Sequence, residues 1–66
     1  MRVTVNGEPR ELSTAMTVAE LVAQLGLNQR RIAVEVNRDI LAREHYTERH
    51  LCEGDMVEIV HFIGGG

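Results

Sequence analysis

The feature that most constrains the fold is a short helix whose two ends are both marked in the sequence. In MTVAELVAQLGL (16–27), Thr17 can cap the helix while Glu20 reaches back to the Thr17 N–H, the pattern of a capping box. Gly26 follows the helix where a left-handed residue is favoured. Apolar residues recur at helical spacing on one face, at Val18, Leu21, Val22 and Leu25. The sequence therefore predicts one helix with an apolar face that another element must cover.

The chain before the helix has the pattern of a β-hairpin. Val3 and Val5 alternate with polar residues, and Asn6-Gly7 then tolerates the positive φ that a type I′ turn requires. Pro9 lacks an N–H to donate, so the second strand, at about 10–12, is expected at an edge of the sheet.

Further strands are expected after the helix. Residues 32–36 alternate in polarity, Ile40 and Leu41 can start a short strand, and 56–63 is the longest β-prone run. The segment 43–49 can hold a helical turn. A right-handed crossover lets the last strand lie beside the first, in the middle of the sheet.

This order of elements predicts an α+β fold of the β-grasp, or ubiquitin-like, type. It consists of a mixed sheet of four to five strands with one helix packed across one face. We expect the domain to span 1–63, followed by a flexible glycine tail at 64–66. The predicted core comprises Val3, Val5, Leu12, Val18, Leu21, Val22, Leu25, Ile32, Val34, Val36, Leu51, Val57 and Ile59.

The length and the charge of the chain limit the classes of function that it can have. A chain of 66 residues forms one domain at most, which leaves little room for an enclosed active site, so we expect no catalytic residues and no bound cofactor. The net charge of −3 without a basic block argues against nucleic acid as a partner. No stretch approaches membrane-spanning length. We therefore expect a cytoplasmic protein that is monomeric when free.

Cysteine and histidine give no metal signature. Cys52 is the only cysteine, which excludes an internal disulfide, and we expect it to be a small, partly buried filler. The spacing of His45, His50, Cys52 and His61 matches no recurrent zinc pattern, so no metal site is predicted. The sequence leaves open which face of the sheet His61 occupies.

The last predicted strand has an apolar outer side. If Val57 and Ile59 face the helix, the pleat directs Glu58, Val60 and Phe62 to the opposite face. Exposed apolar patches often mark a partner surface, and we predict one at Glu58, Val60, Phe62 and Ile63. Alternatively, Phe62 merely covers an edge of the sheet.

The three glycines that follow can serve as a threading tail. Without Cβ atoms, Gly64 and Gly65 can pass a channel too narrow for any side chain and deliver the Gly66 carboxyl group into another protein's active site. A carboxylate is a poor electrophile, so a partner must activate it, most simply by ATP-dependent adenylation. Alternatively, the glycines are only a frayed end.

Several segments together resemble the thiamine-biosynthesis sulfur carriers of the ThiS family. They are Asn6-Gly7, TVAELVAQLGL (17–27), AVEVNRDIL (33–41) followed by Arg43, and GDMVEIVHFIGGG (54–66). Ala42 departs from the pattern, because many members have proline there.

The resemblance implies a carrier that is not itself an enzyme. Gly66 would be adenylated by an E1-like enzyme that uses ATP and then converted to a thiocarboxylate, with sulfur passed from a cysteine desulfurase. The thiocarboxylate would supply sulfur to thiazole synthase. Two alternatives stay open: a carrier of the molybdopterin-synthase small-subunit type, and a ubiquitin-like module that binds partners without covalent chemistry.

Overall fold

The computed structural model describes residues 1–12 and 15–62. In this part of the chain, five strands form one mixed sheet with one α-helix. The elements are β1 Arg2–Val5, β2 Glu8–Glu11, α1 Val18–Gln24, β3 Ile32–Val36, β4 Asp39–Leu41, a 3₁₀ helix at Arg43–His45, and β5 Met56–His61.

The strands lie in the order β2-β1-β5-β3-β4. The last strand is therefore central, between β1, to which it is parallel, and β3, to which it is antiparallel. The short strand β2 lies at one edge, and β4 lies at the other. This arrangement confirms the predicted β-grasp fold, including the position of the last strand and the edge position of β2.

Helix α1 begins and ends as its sequence predicts. The Glu20 N–H donates to Thr17 Oγ1 at 3.2 Å, and the Thr17 N–H donates to Glu20 Oε1 at 2.8 Å, which completes the capping box. At the other end Gly26 has a φ of 76°, and the Leu27 N–H donates to the Val22 carbonyl at 3.0 Å. This hydrogen bond from Leu27 to Val22 is typical of the Schellman motif, which a glycine in the left-handed conformation permits.

The first hairpin has the predicted turn, but its second strand begins earlier than expected. Asn6 and Gly7 have φ values of 51° and 82°, as a type I′ turn requires. Because this turn contains only two residues, it sets Glu8 directly opposite Val5. The strand is present, but the predicted bounds of about 10–12 were wrong, since β2 spans Glu8–Glu11.

The core lies between the helix and the inner face of the sheet. All the predicted core residues except Leu25 are buried, and Tyr46 joins them. Leu25 is only partly buried, because it is the C-cap residue at the open end of the helix. Tyr46 comes from the irregular segment after the 3₁₀ helix, and its carbonyl accepts from the Ala19 N–H at 3.0 Å.

Candidate functional site

The outer side of β5 is exposed as the alternation predicts. Val57 is fully buried and Ile59 nearly so, whereas Val60 and Phe62 are 57% and 60% exposed. Glu58 is exposed as well. The exposure shows that Phe62, one residue beyond the end of β5, is not a core residue. The alternation of burial along β5 puts Val60 on the side away from the helix.

Further exposed apolar residues on β4 and β5 extend this surface. Ile40 on β4 is 80% exposed, and Met56 at the start of β5 is 42% exposed. In the register of the sheet, Ala33 lies opposite Val60 and Glu35 lies opposite Glu58. We call the surface formed by these residues the outer face: Ala33, Glu35, Ile40, Met56, Glu58, Val60 and Phe62.

A side chain from the first turn supports the part of β5 that extends beyond β1. The Ile59 N–H donates to Asn6 Oδ1 at 2.7 Å, and Asn6 Nδ2 donates to the Ile59 carbonyl at 3.2 Å. The amide therefore replaces the backbone of a neighbouring strand where β1 has already ended. This pairing extends the hydrogen bonding on that side of β5 as far as Ile59.

A second asparagine and Asp55 hold the start of β5. The Met56 N–H donates to Asn37 Oδ1 at 2.9 Å, and Asn37 Nδ2 donates to Asp55 Oδ1 at 3.0 Å. The other Asp55 carboxylate oxygen accepts from the Cys52 N–H at 2.7 Å and pairs with Arg49 at 3.4 Å. Asp55, which is itself nearly buried, is thus the shared acceptor of this polar network.

The network lowers the pKa of the Asp55 carboxyl group, although burial acts in the opposite direction. Burial by itself raises the pKa of the carboxyl group, because it disfavours the charged form. Hydrogen bonds from Asn37 and the Cys52 N–H, together with the charge of Arg49, outweigh burial and lower the pKa below its usual value. The carboxylate is therefore ionised and stabilising at neutral pH.

His61 lies on the opposite side of β5 from Val60 and Phe62. It is exposed and lines a surface cleft together with Arg10, Leu25, Leu27 and Ile59. The sequence had left the face of His61 open, and the structure places the residue on the helix side of the sheet. The outer face therefore contains no histidine among the residues that define it.

Other chemistry-bearing residues do not assemble into a site in the described part of the chain. No cluster of three or more histidine, cysteine or acidic residues there could hold a metal ion. Within the same residues, no helix has the length and apolar character that crossing a membrane requires. The prediction that Cys52 is partly buried was wrong: it is exposed, because its short loop turns the side chain outward while the N–H faces Asp55.

Four of the predicted site residues lie outside the described residues. They are Ile63, the fourth residue of the predicted partner surface, and the tail residues Gly64, Gly65 and Gly66. The other predicted residues of the partner surface are described: Glu58 and Val60 on β5, and Phe62 just after the strand. The roles assigned to the tail remain predictions.

Comparison with known proteins places the chain in a family. The sequence model of the protein family described as the ThiS family matches residues 3–66 of this chain. A thiazole synthase of Paramagnetospirillum magneticum is 44% identical over 66 residues, which are 100% of this chain and 20% of that protein. The chain thus spans only about a fifth of the length of such relatives. The sulfur carrier protein ThiS of Bacillus subtilis is 44% identical over 50 residues, or 76% of each chain.

The solved structures agree with the sequence comparisons. The crystal structure of the thiamine biosynthesis protein ThiS from Geobacter metallireducens superimposes with a TM-score of 0.86 at 36% identity, and the match covers 100% of both chains. Fold and sequence therefore lead to one assignment. The chain belongs to the ThiS family, the family of the sulfur carrier proteins named above.

Proposed function

We propose that this protein carries sulfur for thiazole formation in thiamine biosynthesis as a thiocarboxylate on Gly66. The observation that carries the proposal is the extent of the family match, which runs from residue 3 through Gly66 and so includes all three glycines. The fold supports it, because β5, the strand that precedes the glycines in the sequence, is the central strand of the sheet.

The proposed chemistry takes place on the main chain rather than on a side chain. The Gly66 carboxylate attacks the α-phosphorus of ATP and releases pyrophosphate, which leaves an acyl-adenylate. A sulfide sulfur then attacks the acyl carbon, a C–S bond forms, and AMP departs with the C–O bond electrons. With a persulfide as the nucleophile, a second thiol must cleave the S–S bond to release the thiocarboxylate.

Three partners are required by this scheme. An E1-like adenylating enzyme supplies the activated carboxyl group, a cysteine desulfurase supplies sulfur, and thiazole synthase receives it. Relatives that bear the name thiazole synthase contain a segment similar to this chain over its full length. That similarity supports thiazole synthase as the acceptor. ATP is consumed by the adenylating enzyme, and the carrier itself holds no cofactor in this scheme.

The mass of the intact protein tests the sulfur-carrier proposal. After incubation with ATP, the adenylating enzyme, a desulfurase and cysteine, we expect the mass to rise by the difference between a sulfur and an oxygen atom. The reaction without ATP serves as the control and should leave the mass unchanged. Failure to gain this mass while the enzymes charge another ThiS protein would contradict the proposal.

Phe62→Asp tests whether the outer face contributes to partner binding. Because Phe62 is 60% exposed, we expect the thermal unfolding midpoint to change little. A charge in place of the ring should weaken binding to the adenylating enzyme about tenfold or more in a titration. Thr47→Asp, at an exposed position in the loop after Tyr46, provides a control of the same charge. Equal affinity of both variants would contradict the assignment of this surface.

A further inference from the structure

Two carboxylates face each other across the central strands of the outer face. Glu35 on β3 and Glu58 on β5 are direct partners in the antiparallel register. Their neighbours along each strand, Val34, Val36, Val57 and Ile59, are buried, so both glutamates project from the same side. Directly opposed residues have Cβ atoms about 5 Å apart, and like charges at that separation destabilise a sheet.

No ion pair within the described residues relieves this repulsion. The ion pairs among residues 1–12 and 15–62 join Met1 and Arg2 to Glu11, and Arg49 to Asp55. Arg38 lines the same shallow depression as Glu35, Glu58 and Met56, but it pairs with neither carboxylate at 4 Å or less. In the free chain the two carboxylates thus face each other with no ion-pair partner within 4 Å among the described residues.

Exposed apolar side chains surround the two carboxylates. Ile40 is the register partner of Glu35 on the side away from Glu58, and Met56 and Val60 flank Glu58 along β5. A partner that covers these apolar groups also removes water from the carboxylates. Electrostatic attraction to a cation is stronger in such a desolvated setting than in water.

We propose that the outer face binds a partner protein surface that inserts one arginine side chain between Glu35 and Glu58. The inference rests on the proposed function in one respect, because it identifies the partner as thiazole synthase. A planar guanidinium has five N–H donors and can bond two carboxylates at once, which a lysine ammonium does with less geometric match. The apolar rim of the outer face would pack around the stem of that arginine.

This arrangement predicts opposite effects on folding and on binding. Removing either charge from the free chain ends the repulsion, so Glu35→Gln and Glu58→Gln should each raise the thermal unfolding midpoint by roughly 2–4 °C. The double variant should gain little beyond either single one, because one substitution already abolishes the like-charge pair. A glutamate that merely supported the fold would not show such a gain.

Calorimetric titration with thiazole synthase from the same organism tests the proposal. We expect each single variant to bind about tenfold more weakly than the wild-type chain, and the double variant more weakly still. Added salt should weaken binding of the wild type more than binding of the double variant. Glu44→Gln, which removes one exposed charge on the 3₁₀ helix, is the matched control and should bind as the wild type does.

Each outcome of the titration either supports or overturns the proposal of an inserted arginine. Weaker binding combined with a more stable free chain supports the inserted arginine. Unchanged affinity of the two single variants, an equal salt response of wild type and double variant, or no measurable binding by the wild type would overturn it. The sulfur-carrier proposal fails separately, through the absence of the mass gain in the charging reaction, whatever the titration shows.

Discussion

Replacing Asp55 with alanine is expected to lower the free energy of unfolding by about 1–3 kcal/mol, because the change removes a nearly buried carboxylate that three other groups share. The Cys52 N–H, the Asn37 amide and the Arg49 guanidinium all lose the carboxylate that they share. A domain of this length is stabilised by only about 3–10 kcal/mol in total. Urea unfolding followed by circular dichroism should therefore show a much lower midpoint or a largely unfolded chain.

Two further variants separate the carboxylate's role from a general effect of substitution. Asp39→Ala removes an exposed acidic group at the start of β4 and should leave the midpoint nearly unchanged. Asp55→Asn keeps the shape of the side chain but removes its charge. Its free energy of unfolding should therefore lie between that of the wild type and that of Asp55→Ala. Equal stability of Asp55→Ala and Asp39→Ala would show that the network contributes nothing to folding.

The stabilisation by Asp55 should also depend on pH. Because the pKa of this carboxyl group is lower in the folded chain than in the unfolded chain, its contribution is present above the unfolded pKa, about 4. It is lost as the pH falls through the folded pKa. The difference in unfolding free energy between the wild type and Asp55→Asn should therefore shrink below about pH 4.

Deleting Gly66 is expected to reduce thiocarboxylate formation to less than about 1% of the wild-type rate. A tail that is one residue shorter withdraws its carboxyl group by about 3.5 Å. Reaction requires contact within about 3–3.5 Å, and a displacement of 1 Å can cost about a hundredfold in rate. The yield of charged protein, measured by mass after a fixed time, gives the result directly.

The same deletion separates the carrier from a purely non-covalent binding module. Gly66 has no side chain to bury, so we expect the thermal unfolding midpoint to stay unchanged. Binding through the outer face should also persist. A shortened chain that still acquires sulfur at the normal rate would refute the role of Gly66, whereas one that unfolds early would implicate the tail in the fold.

Local signals in the sequence were sufficient for much of the fold. The capping box at Thr17 and Glu20, the glycine at position 26 and the Asn6-Gly7 turn each specify backbone geometry within a few residues. Alternation in β3 and β5 then determines which side chains are buried. Because β5 must lie in the middle of the sheet, its outer residues Val60 and Phe62 could also be predicted.

Features that depend on distant residues could not be predicted in this way. Asp55 is defined by partners at positions 37, 49 and 52, and nothing in its immediate neighbourhood marks it as nearly buried. Tyr46 enters the core from a segment without periodicity. The opposition of Glu35 and Glu58 follows only from the register between two strands more than 20 residues apart.

The central position of β5 also determines how the folded domain resists mechanical force. A partner that grips the chain beyond Phe62 and pulls along the strand would strain the five residue pairs of β3 and β5 in shear. Hydrogen bonds stretched in shear share the tension and must fail together, whereas bonds at a peeled edge fail one after another. The Asn6 amide adds two such bonds to Ile59 on the opposite flank. We therefore expect the folded domain to resist unfolding when a partner pulls on its C-terminal end.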